Sequence, residues 1–305
     1  MYNSEIKKRY ISEKESGIRI NPYIMPALFE KTAAYEEAAG KDVCNFSASQ
    51  AAEMLNAFGS HSINSVNVNV SMLKQYTDWC IQQGIAAHPQ NPYKGISADL
   101  AFRREYYEKR VWSREQVLAC CRDLPDFCDR FILLGLFEGI KGKNYCEFTM
   151  MKRADIDSAR RTIGLYGRGP CIFSEELCRL GIKSADEDYY HTLSGDRSIP
   201  FPPDDDHVIK AQRNAMERAD LFRKGRRVYT ALNRIFRFIG ADPDMNAQTV
   251  AESGMIDMIK RRSRENGMSA QAYLYSSSFS EVEKQYDTHI VKAHFIKKYG
   301  GLLTP

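Results

Sequence analysis

The 305-residue sequence lacks any long apolar run, since no stretch approaches the roughly 20 apolar residues that a membrane-spanning helix needs. Its first ten residues, MYNSEIKKRY, are polar and charged, which indicates neither a signal peptide nor a membrane anchor. The eight cysteines include no CxxC pair and stand in no metal-like spacing with histidine. These absences predict a soluble intracellular protein with reduced thiols, no metal site and no cofactor.

The sequence also has little net charge, because 43 basic residues stand against 39 acidic ones. A formal charge of +4 does not by itself indicate a nucleic-acid partner, so the distribution of charge matters more than the sum. One basic run covers residues 207–240, where only Glu217 and Asp220 are acidic. A second basic cluster lies at residues 260–264. Two one-sided runs of this kind favour contact with DNA phosphates over a merely solvated helix face.

The first hundred residues are predicted to form an all-helical unit. Residues 21–60 show helical spacing of apolar residues with stops at Gly40 and Gly59, and Ser47 or Ser49 is suited to cap the second helix. The next helix runs from about residue 65 to 83 and is closed by Gly84. Its apolar residues at helical spacing predict one buried face, made by Val68, Met72, Leu73, Tyr76, Trp79 and Cys80.

A different pattern begins between residues 103 and 112 and mixes helices with strands. Ser113 and Gln116 have the spacing of a capping box, and the apolar run after Pro125 predicts a helix. The segment TIGLYG, residues 162–167, predicts a strand, and residues 189–202 predict a β-hairpin that turns at Gly195.

Between these strands we expect a short helix, EELCRLGI, followed by a loop at ADEDYY. A further helix ends at Gly240, and its apolar residues predict a buried face. That face is expected to contain Val228, Leu232, Ile235, Phe236 and Ile239. The sequence therefore predicts a mainly α protein with a small β-sheet, in two domains that cover residues 1–105 and 106–305.

The segment GKNYCEFTMMKRADID, residues 142–157, carries a resemblance to the tyrosine recombinases, also called phage integrases. Seven residues match that family's first catalytic segment: Gly142, Glu147, Phe148, Met151, Asp155, Ile156 and Asp157. The resemblance implies a helical, SAM-like core-binding domain followed by an α+β integrase catalytic-like domain. The catalytic arginine position of this segment holds Asn144. Aligning Gly139 instead would place Lys141 there, but only the first alignment keeps the spacing to residues 155–157.

The other catalytic positions that the resemblance implies are also substituted. The lysine of the β2–β3 hairpin falls near Thr192, and the later histidine and arginine positions hold Gln248, Ala251 and Ser276. Only Tyr286 falls at the nucleophile position. Each lost charge-stabilising donor costs about 10² to 10³ in rate, and a tyrosine without a positioned base is a poor nucleophile at neutral pH. The chain is therefore expected not to be an enzyme, and Tyr286 is expected to be an ordinary packed or surface aromatic residue.

Three segments are similar to a narrower group, the lytic-cycle repressors of SPβ-like Bacillus phages: MYNSEIKKRY, FILLGLFEGIKGKNYCE and NAQTVAESGMIDMIKRRSRENG. This resemblance implies a repressor in the bacterial cytoplasm, associated with the nucleoid. It would bind operator-like elements in double-stranded phage DNA and keep lytic genes silent. Two alternatives stay open. One is a residual recombinase in which Tyr286 works with Arg226 or Arg227, and the other is an interaction protein that caps another recombinase or regulator.

The candidate DNA contacts follow from the charge pattern and the resemblance. In the second domain they are expected to be mainly phosphate contacts, at Lys141, Lys143, Arg197, Arg223, Lys224, Arg226, Arg227, Lys260, Arg261, Arg262 and Arg264. In the first domain the helix at residues 65–83 is the candidate groove-facing element, because asparagine and glutamine can pair with adenine. Its polar residues are Asn67, Asn69, Ser71, Lys74 and Gln75. After Tyr286 a helix and a flexible tail are expected, and such tails in integrases pack on a neighbouring protomer, which predicts self-association.

Overall fold

The computed structural model describes residues 1–15, 24–58, 63–97, 103–201, 205–210 and 221–304. The chain divides into two compact units, Met1–Arg103 and Arg104–Pro305. The sequence-based division between residues 105 and 106 falls within the first helix of the second unit, Arg104–Glu108. None of the described helices combines the length and the apolar character needed to cross a membrane.

The described part of the first unit is helical, as predicted. Its α-helices are α1 (Ser4–Glu15), α2 (Ile24–Ala39), α3 (Ala48–Ala57) and α4 (Ile63–Gln82). Ser47 caps α3 in a capping box with Gln50, and α2 ends at Gly40. The predicted stop at Gly59 lies outside the described residues. The core of this unit is aromatic: the rings of Tyr10, Phe29 and Tyr76 lie 4.9 to 6.4 Å apart in edge-to-face arrangements.

One residue of the predicted buried face of α4 was assigned wrongly. Leu73, Tyr76 and their predicted partners in the last three turns of the helix are buried, but Val68 is 46% exposed. Val66 is buried in its place. The row of side chains that faces the core runs through Val66, Leu73 and Cys80, which are seven residues apart, and Val68 is about 200° around the helix from Val66.

An ion pair inside the first unit ties α1 to α2. Lys7 and Glu36 are fully buried and hydrogen-bonded to each other, and Lys7 also lies over the ring of Phe29. The Glu36 carboxylate accepts further hydrogen bonds from Thr32 Oγ1 at 2.8 Å and from the Val43 amide at 3.0 Å. These partners compensate for removing the two charges from water.

The second unit contains both helices and strands. Its helices are α5 (Arg104–Glu108), α6 (Arg114–Asp123), α7 (Phe127–Glu138), α8 (Cys146–Thr149), α9 (Glu175–Asp186), α10 (Leu221–Phe238), α11 (Ala247–Glu265), α12 (Ala270–Tyr275), α13 (Ser280–Gln285) and α14 (Lys292–Tyr299). Its strands are β1 (Ile156–Asp157), β2 (Thr162–Leu165), β3 (Gly169–Ile172), β4 (Tyr189–His191) and β5 (Ser198–Pro200).

Helix α7 forms the centre of the second unit. Its apolar stretch from Phe131 to Phe137 is buried throughout, and α6, α9, α10 and α11 pack around it. Ser113 and Gln116 form the predicted capping box at the start of α6. Asp126 caps α7, and its other carboxylate oxygen accepts a hydrogen bond from the amide of His191 in β4. This capping residue therefore connects the central helix to a strand that lies 65 residues further along the chain.

The strands form two separate antiparallel sheets. One has the order β1–β2–β3 and the other consists of β4 and β5. The predicted strand at TIGLYG and the predicted hairpin around Gly195 are confirmed. The short helix predicted before that hairpin is longer than expected, because α9 extends through Ala185 and Asp186, which were predicted to lie in a loop. Ala185 is buried, so packing against the core extends the helix beyond its local sequence signal.

The last helices correct two further predictions. The predicted buried face of α10 is confirmed at Val228, Leu232, Ile235 and Phe236, whereas Ile239 is only half-buried and lies beyond the end of the helix. The tail predicted to be flexible is folded. Tyr299 and Leu303 are buried, and the ring of Tyr299 packs edge-to-face against Tyr107 of α5 in the same unit. Burial of these apolar side chains within their own unit provides the stabilisation that holds the tail.

Gly254 allows α11 to approach α7 at close range. A Cβ atom at this position would lie 1.6 Å from the Phe137 carbonyl oxygen and 2.5 Å from the Tyr286 hydroxyl. We therefore expect Gly254→Ala to lower the free energy of unfolding of this unit by about 3 kcal/mol or more, measured by urea denaturation. Gly164→Ala is the matched control, since its Cβ would meet only ordinary contacts from 3.6 Å and should change stability by less than about 1 kcal/mol. Equal stability of the two variants would contradict this assignment.

Candidate functional site

Three of the predicted catalytic positions meet at one cavity in the second unit. Gln248, Ala251 and Tyr286 line a cavity of about 220 Å³ together with Lys141 and Lys143. The side chains come from the loop after α7, from the first turns of α11 and from the end of α13. We call this space the Tyr286 cavity. Among its described lining residues there is no arginine and no histidine.

The remaining predicted positions do not line this cavity. Asn144 is exposed in the turn before α8, where its φ of 53° is in the left-handed region that asparagine tolerates better than most residues. Ser276 donates a hydrogen bond to the carbonyl of Tyr273 at the end of α12. Thr192 belongs to the β4–β5 hairpin, where its hydroxyl bonds to Asp196.

The placement of the lysine position at Thr192 is therefore wrong. The turn that joins the second and third strands of the three-stranded sheet covers residues 166–168, whereas Thr192 follows a strand of the other sheet. The cation on the β2–β3 turn is Arg168. Both segments have a glycine-containing turn between short strands, so the sequence alone did not distinguish them.

Arg168 is committed to an internal network. Its Nε and Nη2 donate to the two oxygens of Glu147 at 2.5 and 2.8 Å. Nη2 also donates to the Gly139 carbonyl at 3.0 Å, and Nη1 donates to the carbonyls of Lys284 and Gln285 at 3.0 and 2.9 Å. All five N–H groups of the guanidinium thus have an acceptor. The Glu147 side chain is 1% exposed, and its carboxylate also accepts a hydrogen bond from the Lys141 amide at 2.7 Å.

Tyr286 is buried in the second unit. Its hydroxyl donates a hydrogen bond of 2.6 Å to the carbonyl oxygen of Phe137 at the end of α7. Burial raises the pKa of this hydroxyl well above its ordinary value, and the carboxylates of Glu138 and Asp257 act in the same direction. The predicted role of a packed aromatic residue is confirmed by its 7% exposure.

A chain of polar side chains leads from the Tyr286 cavity to the C-terminal helix. Lys141 Nζ donates to Gln248 Oε1 at 2.7 Å, and Gln248 Nε2 donates to Glu252 at 3.3 Å. Glu252 in turn accepts from Lys298 Nζ at 3.2 Å and from the Tyr299 hydroxyl. Burial lowers the pKa of Lys141. The amine of Lys141 is therefore held within the protein, whereas Lys143 beside it is exposed.

The other predicted phosphate contacts of the second unit are dispersed. Arg197 is exposed in the β4–β5 loop, and Arg261 and Arg264 are exposed on α11. Lys260 is half-buried, and Arg262 is paired with Glu265 at 2.9 Å and with Glu281 at 3.7 Å. Arg223 and Lys224 belong to α10, but their side chains lie outside the described residues. Arg261 and Arg262 line one cavity together with Arg114 and Arg161, whereas Arg197 belongs to the separate β4–β5 hairpin.

In the first unit, α4 presents a polar stripe. Asn67, Ser71, Lys74 and Gln75 are exposed, and their spacing of four, three and one residues places them along one side of the helix. Asn69 is half-buried and lies about 200° from Asn67, so it does not belong to this stripe.

A second cavity, which the sequence did not indicate, lies between α7, α10 and β4. It has a volume of about 410 Å³, and we call it the α10 cavity. Its polar and aromatic lining consists of Asp129, Tyr190, Phe201, Lys210, Arg226, Arg227 and Arg234. Arg226 and Arg227, which were predicted to contact DNA, thus belong to a concave site and not to the Tyr286 cavity. The basic run was the only signal of this site in the sequence.

Comparison with known proteins agrees with this architecture. The family profile described as the MrpR N-terminal core-binding domain matches residues 1–82, and the profile described as the MrpR C-terminal catalytic domain matches residues 111–300. The chain belongs to the MrpR family. This membership confirms the predicted recombinase-like fold class, with a core-binding and a catalytic-type domain, and the predicted kinship with phage proteins.

One curated relative of this MrpR-family chain is the SPβ prophage-derived uncharacterized protein YopR of Bacillus subtilis strain 168. It is 24% identical over 226 residues, which cover 70% of this chain and 69% of YopR. Among solved structures, the XerA recombinase aligns with a TM-score of 0.37 at 12% identity over 98% of each chain. The Tn1549 transposon integrase in complex with circular intermediate DNA aligns with a TM-score of 0.41 at 14% identity, over 95% of this chain and 96% of that one.

The Arg168 network predicts a large effect of one substitution. Arg168→Ala leaves the Glu147 carboxylate buried without its ion-pair partner and leaves three carbonyls without their donor, so we expect a loss of about 3 to 5 kcal/mol in unfolding free energy. The control is Arg160→Ala, which removes an 83% exposed arginine 3.8 Å from Asp157 and should cost less than about 1 kcal/mol. Urea denaturation of both variants makes the comparison. Similar midpoints would mean that Arg168 does not stabilise the unit.

Proposed function

We propose that this MrpR-family protein is a non-catalytic, sequence-specific DNA-binding repressor that maintains a prophage by occupying operator-like sites. One observation supports the proposed loss of catalysis: the Tyr286 hydroxyl is buried and donates a hydrogen bond to the Phe137 carbonyl. A recombinase-type reaction needs that hydroxyl at a phosphorus atom, with its proton transferred to a base and the new charge held by cations.

The surroundings of Tyr286 support the same conclusion. Ionisation of this hydroxyl is opposed by burial and by two nearby carboxylates, so its pKa moves away from neutral pH. The cations in the described lining of the Tyr286 cavity are Lys141 and Lys143, and the amine of Lys141 is hydrogen-bonded to Gln248. Arg226 and Arg227 lie in the α10 cavity, which counts against the alternative of a residual recombinase that recruits them.

DNA binding is supported by side chains that carry no intramolecular ion pair among the described residues. Lys143, Arg197, Arg261 and Arg264 are exposed, and such cations can release condensed counterions when they contact phosphates. The polar stripe of α4 has the residue types that read base edges, since Asn67 and Gln75 can each pair with adenine in the major groove. The second unit would then contribute the phosphate contacts, and the first unit would contribute the base readout.

The proposed regulatory role is supported by the prophage origin of YopR. It is also supported by what a protein does when it binds DNA without cutting it. A protein that occupies DNA without altering it acts through occupancy, which excludes other proteins from the site. Self-association is a separate proposal. It does not need exchange of the C-terminal helix, because α14 is held on its own unit by the contacts of Lys298 and Tyr299 to Glu252.

The test is a pair of titrations of the full chain on a labelled DNA library from the host phage genome, at low and at near-physiological salt. We expect one enriched element to retain binding at the higher salt, a steep salt slope, and no covalent protein–DNA adduct on a suicide substrate. Tyr286→Phe should bind the element with unchanged affinity if it stays folded. A covalent adduct that this variant lacks would overturn the proposal, and binding without sequence preference would reduce it to general DNA binding.

Individual cations give a sharper test. Replacing Lys143, Arg197 and Arg264 with alanine one at a time should weaken binding similarly on all sequences and lower the salt slope by about 0.9 for each lost phosphate contact. The matched control is Arg122→Ala on α6, an exposed arginine outside the predicted contacts. Asn67→Ala should instead reduce the preference for the enriched element. An unchanged salt slope in all three lysine and arginine variants would place the DNA on another surface.

A further inference from the structure

The α10 cavity carries an excess of positive charge. Its described lining contains four cations, Lys210, Arg226, Arg227 and Arg234, and one acid, Asp129. Asp129 is already committed, since both of its oxygens accept from Arg234 Nη2 at 2.8 and 2.9 Å. Within the described part of the chain, no carboxylate lies within 4.0 Å of a charged nitrogen of the other three cations.

Part of this charge is withdrawn from water. Arg227 is half-buried, and burial lowers the pKa of its guanidinium. The Nε–H of Arg234 is buried and has no hydrogen-bond partner among the described residues. Lys210 donates to the Glu187 carbonyl at 2.7 Å, which satisfies one of its three N–H groups without neutralising it. The charge of Asp205 partly opposes this shift at Arg227, but four cations against Asp129 and Asp205 leave an excess of positive charge. Because charges withdrawn from water are costly, an anion that enters the cavity would be stabilised there.

The rest of the wall is apolar. Tyr190, Phe201 and the aliphatic side chains of Ile132, Ile209 and Val228 line the cavity beside the cations. Its volume of about 410 Å³ is within the range of roughly 300 to 1,000 Å³ that small-molecule sites occupy. A concave site that is lined by cations and also by aromatic and aliphatic groups fits an organic anion better than it fits an inorganic one.

We propose that the α10 cavity binds a free nucleoside monophosphate, with its phosphate on Arg226, Arg227 and Lys210 and its base against Phe201 and the aliphatic wall. Guanidinium groups bind phosphate through paired, charge-assisted hydrogen bonds, and the three cations match the charge of a dianion. Aromatic side chains provide the surface on which a base stacks. Duplex DNA fits less well, because its bases are paired and stacked and cannot cover the apolar wall of a concave site.

This site bears on regulation. Arg226 and Arg227 are also among the DNA contacts predicted from the sequence, so a bound nucleotide would neutralise cations that DNA would otherwise use. By thermodynamic linkage, operator DNA would weaken nucleotide binding by the same factor. This consequence rests on the proposed function, whereas nucleotide binding itself does not depend on it.

The experiment is isothermal titration calorimetry of the full chain, without DNA, against AMP, GMP, inorganic phosphate and adenosine. We expect at least one nucleotide to bind about tenfold or more tightly than phosphate or adenosine. Phosphate alone does not contact the apolar wall, and adenosine alone does not neutralise the cations. Arg227→Ala should weaken nucleotide binding about tenfold, which corresponds to about 1.4 kcal/mol. Arg226→Gln, at an exposed position, should weaken it as well and guards against misfolding of the first variant. Arg122→Ala is the control and should bind as the wild type does.

The outcomes separate the two proposals. Nucleotide binding that is equal in the wild type and in both cavity variants would overturn the site, as would the absence of any nucleotide binding in folded protein. If nucleotides do not bind but Arg227→Ala weakens DNA binding, the cations serve DNA and the inference is wrong. If nucleotides bind as expected and no DNA element is enriched, the cavity stands and the repressor proposal fails.

Discussion

The ion pair between Glu147 and Arg168 fixes the arrangement on which the second unit depends. It joins the loop after α7, the β2–β3 turn and the end of α13 through one guanidinium whose five N–H groups are all used. The free-energy cost of removing two charges from water is offset only when their remaining donors and acceptors also form hydrogen bonds, as they do here. The network therefore sets the position of Lys141, whose amide bonds to Glu147, and of Gln285, which directly precedes Tyr286.

Once these segments are fixed, the chemistry of the Tyr286 cavity is restricted. The Tyr286 hydroxyl donates a hydrogen bond to the Phe137 carbonyl of α7, and Gly254 lets α11 approach the same point. Lys141 and Lys143 line the Tyr286 cavity, whereas Arg114 and Arg261 act on the hydroxyl from a separate cavity that Tyr286 also borders. The surface cations are independent of this arrangement, because none of Arg197, Arg261 and Arg264 belongs to the network. Arg197 and Arg264 could therefore be kept or lost without any change in the surroundings of Tyr286.

The sequence predicted those features that depend on neighbouring residues. The capping box at Ser113 and the hairpin at Gly195 follow from local hydrogen bonding and backbone conformation, and both are present. Features that depend on distant partners were missed. The tail was expected to be flexible, but Tyr299 packs against Tyr107 of α5, which is far away in sequence. Arg168 bonds largely to backbone carbonyls, which no residue pattern reveals. The lysine position was assigned to Thr192 because the sequence contains two glycine-containing hairpins, and either one could have been the β2–β3 turn.

The same dependence on distant partners bears on whether substitutions at the Tyr286 cavity could support a reaction at the Tyr286 hydroxyl. Introducing arginines at residues 144 and 251 would supply charge, but the Tyr286 hydroxyl would remain bonded to Phe137 within the core. To reach a phosphate, this side chain would have to leave its contact with α7, and α13 would have to move with it. That movement would separate Arg168 from the carbonyls of Lys284 and Gln285 and so weaken the ion pair that holds the unit together. Stability and a mobile nucleophile are therefore in conflict here, and the contacts described favour stability.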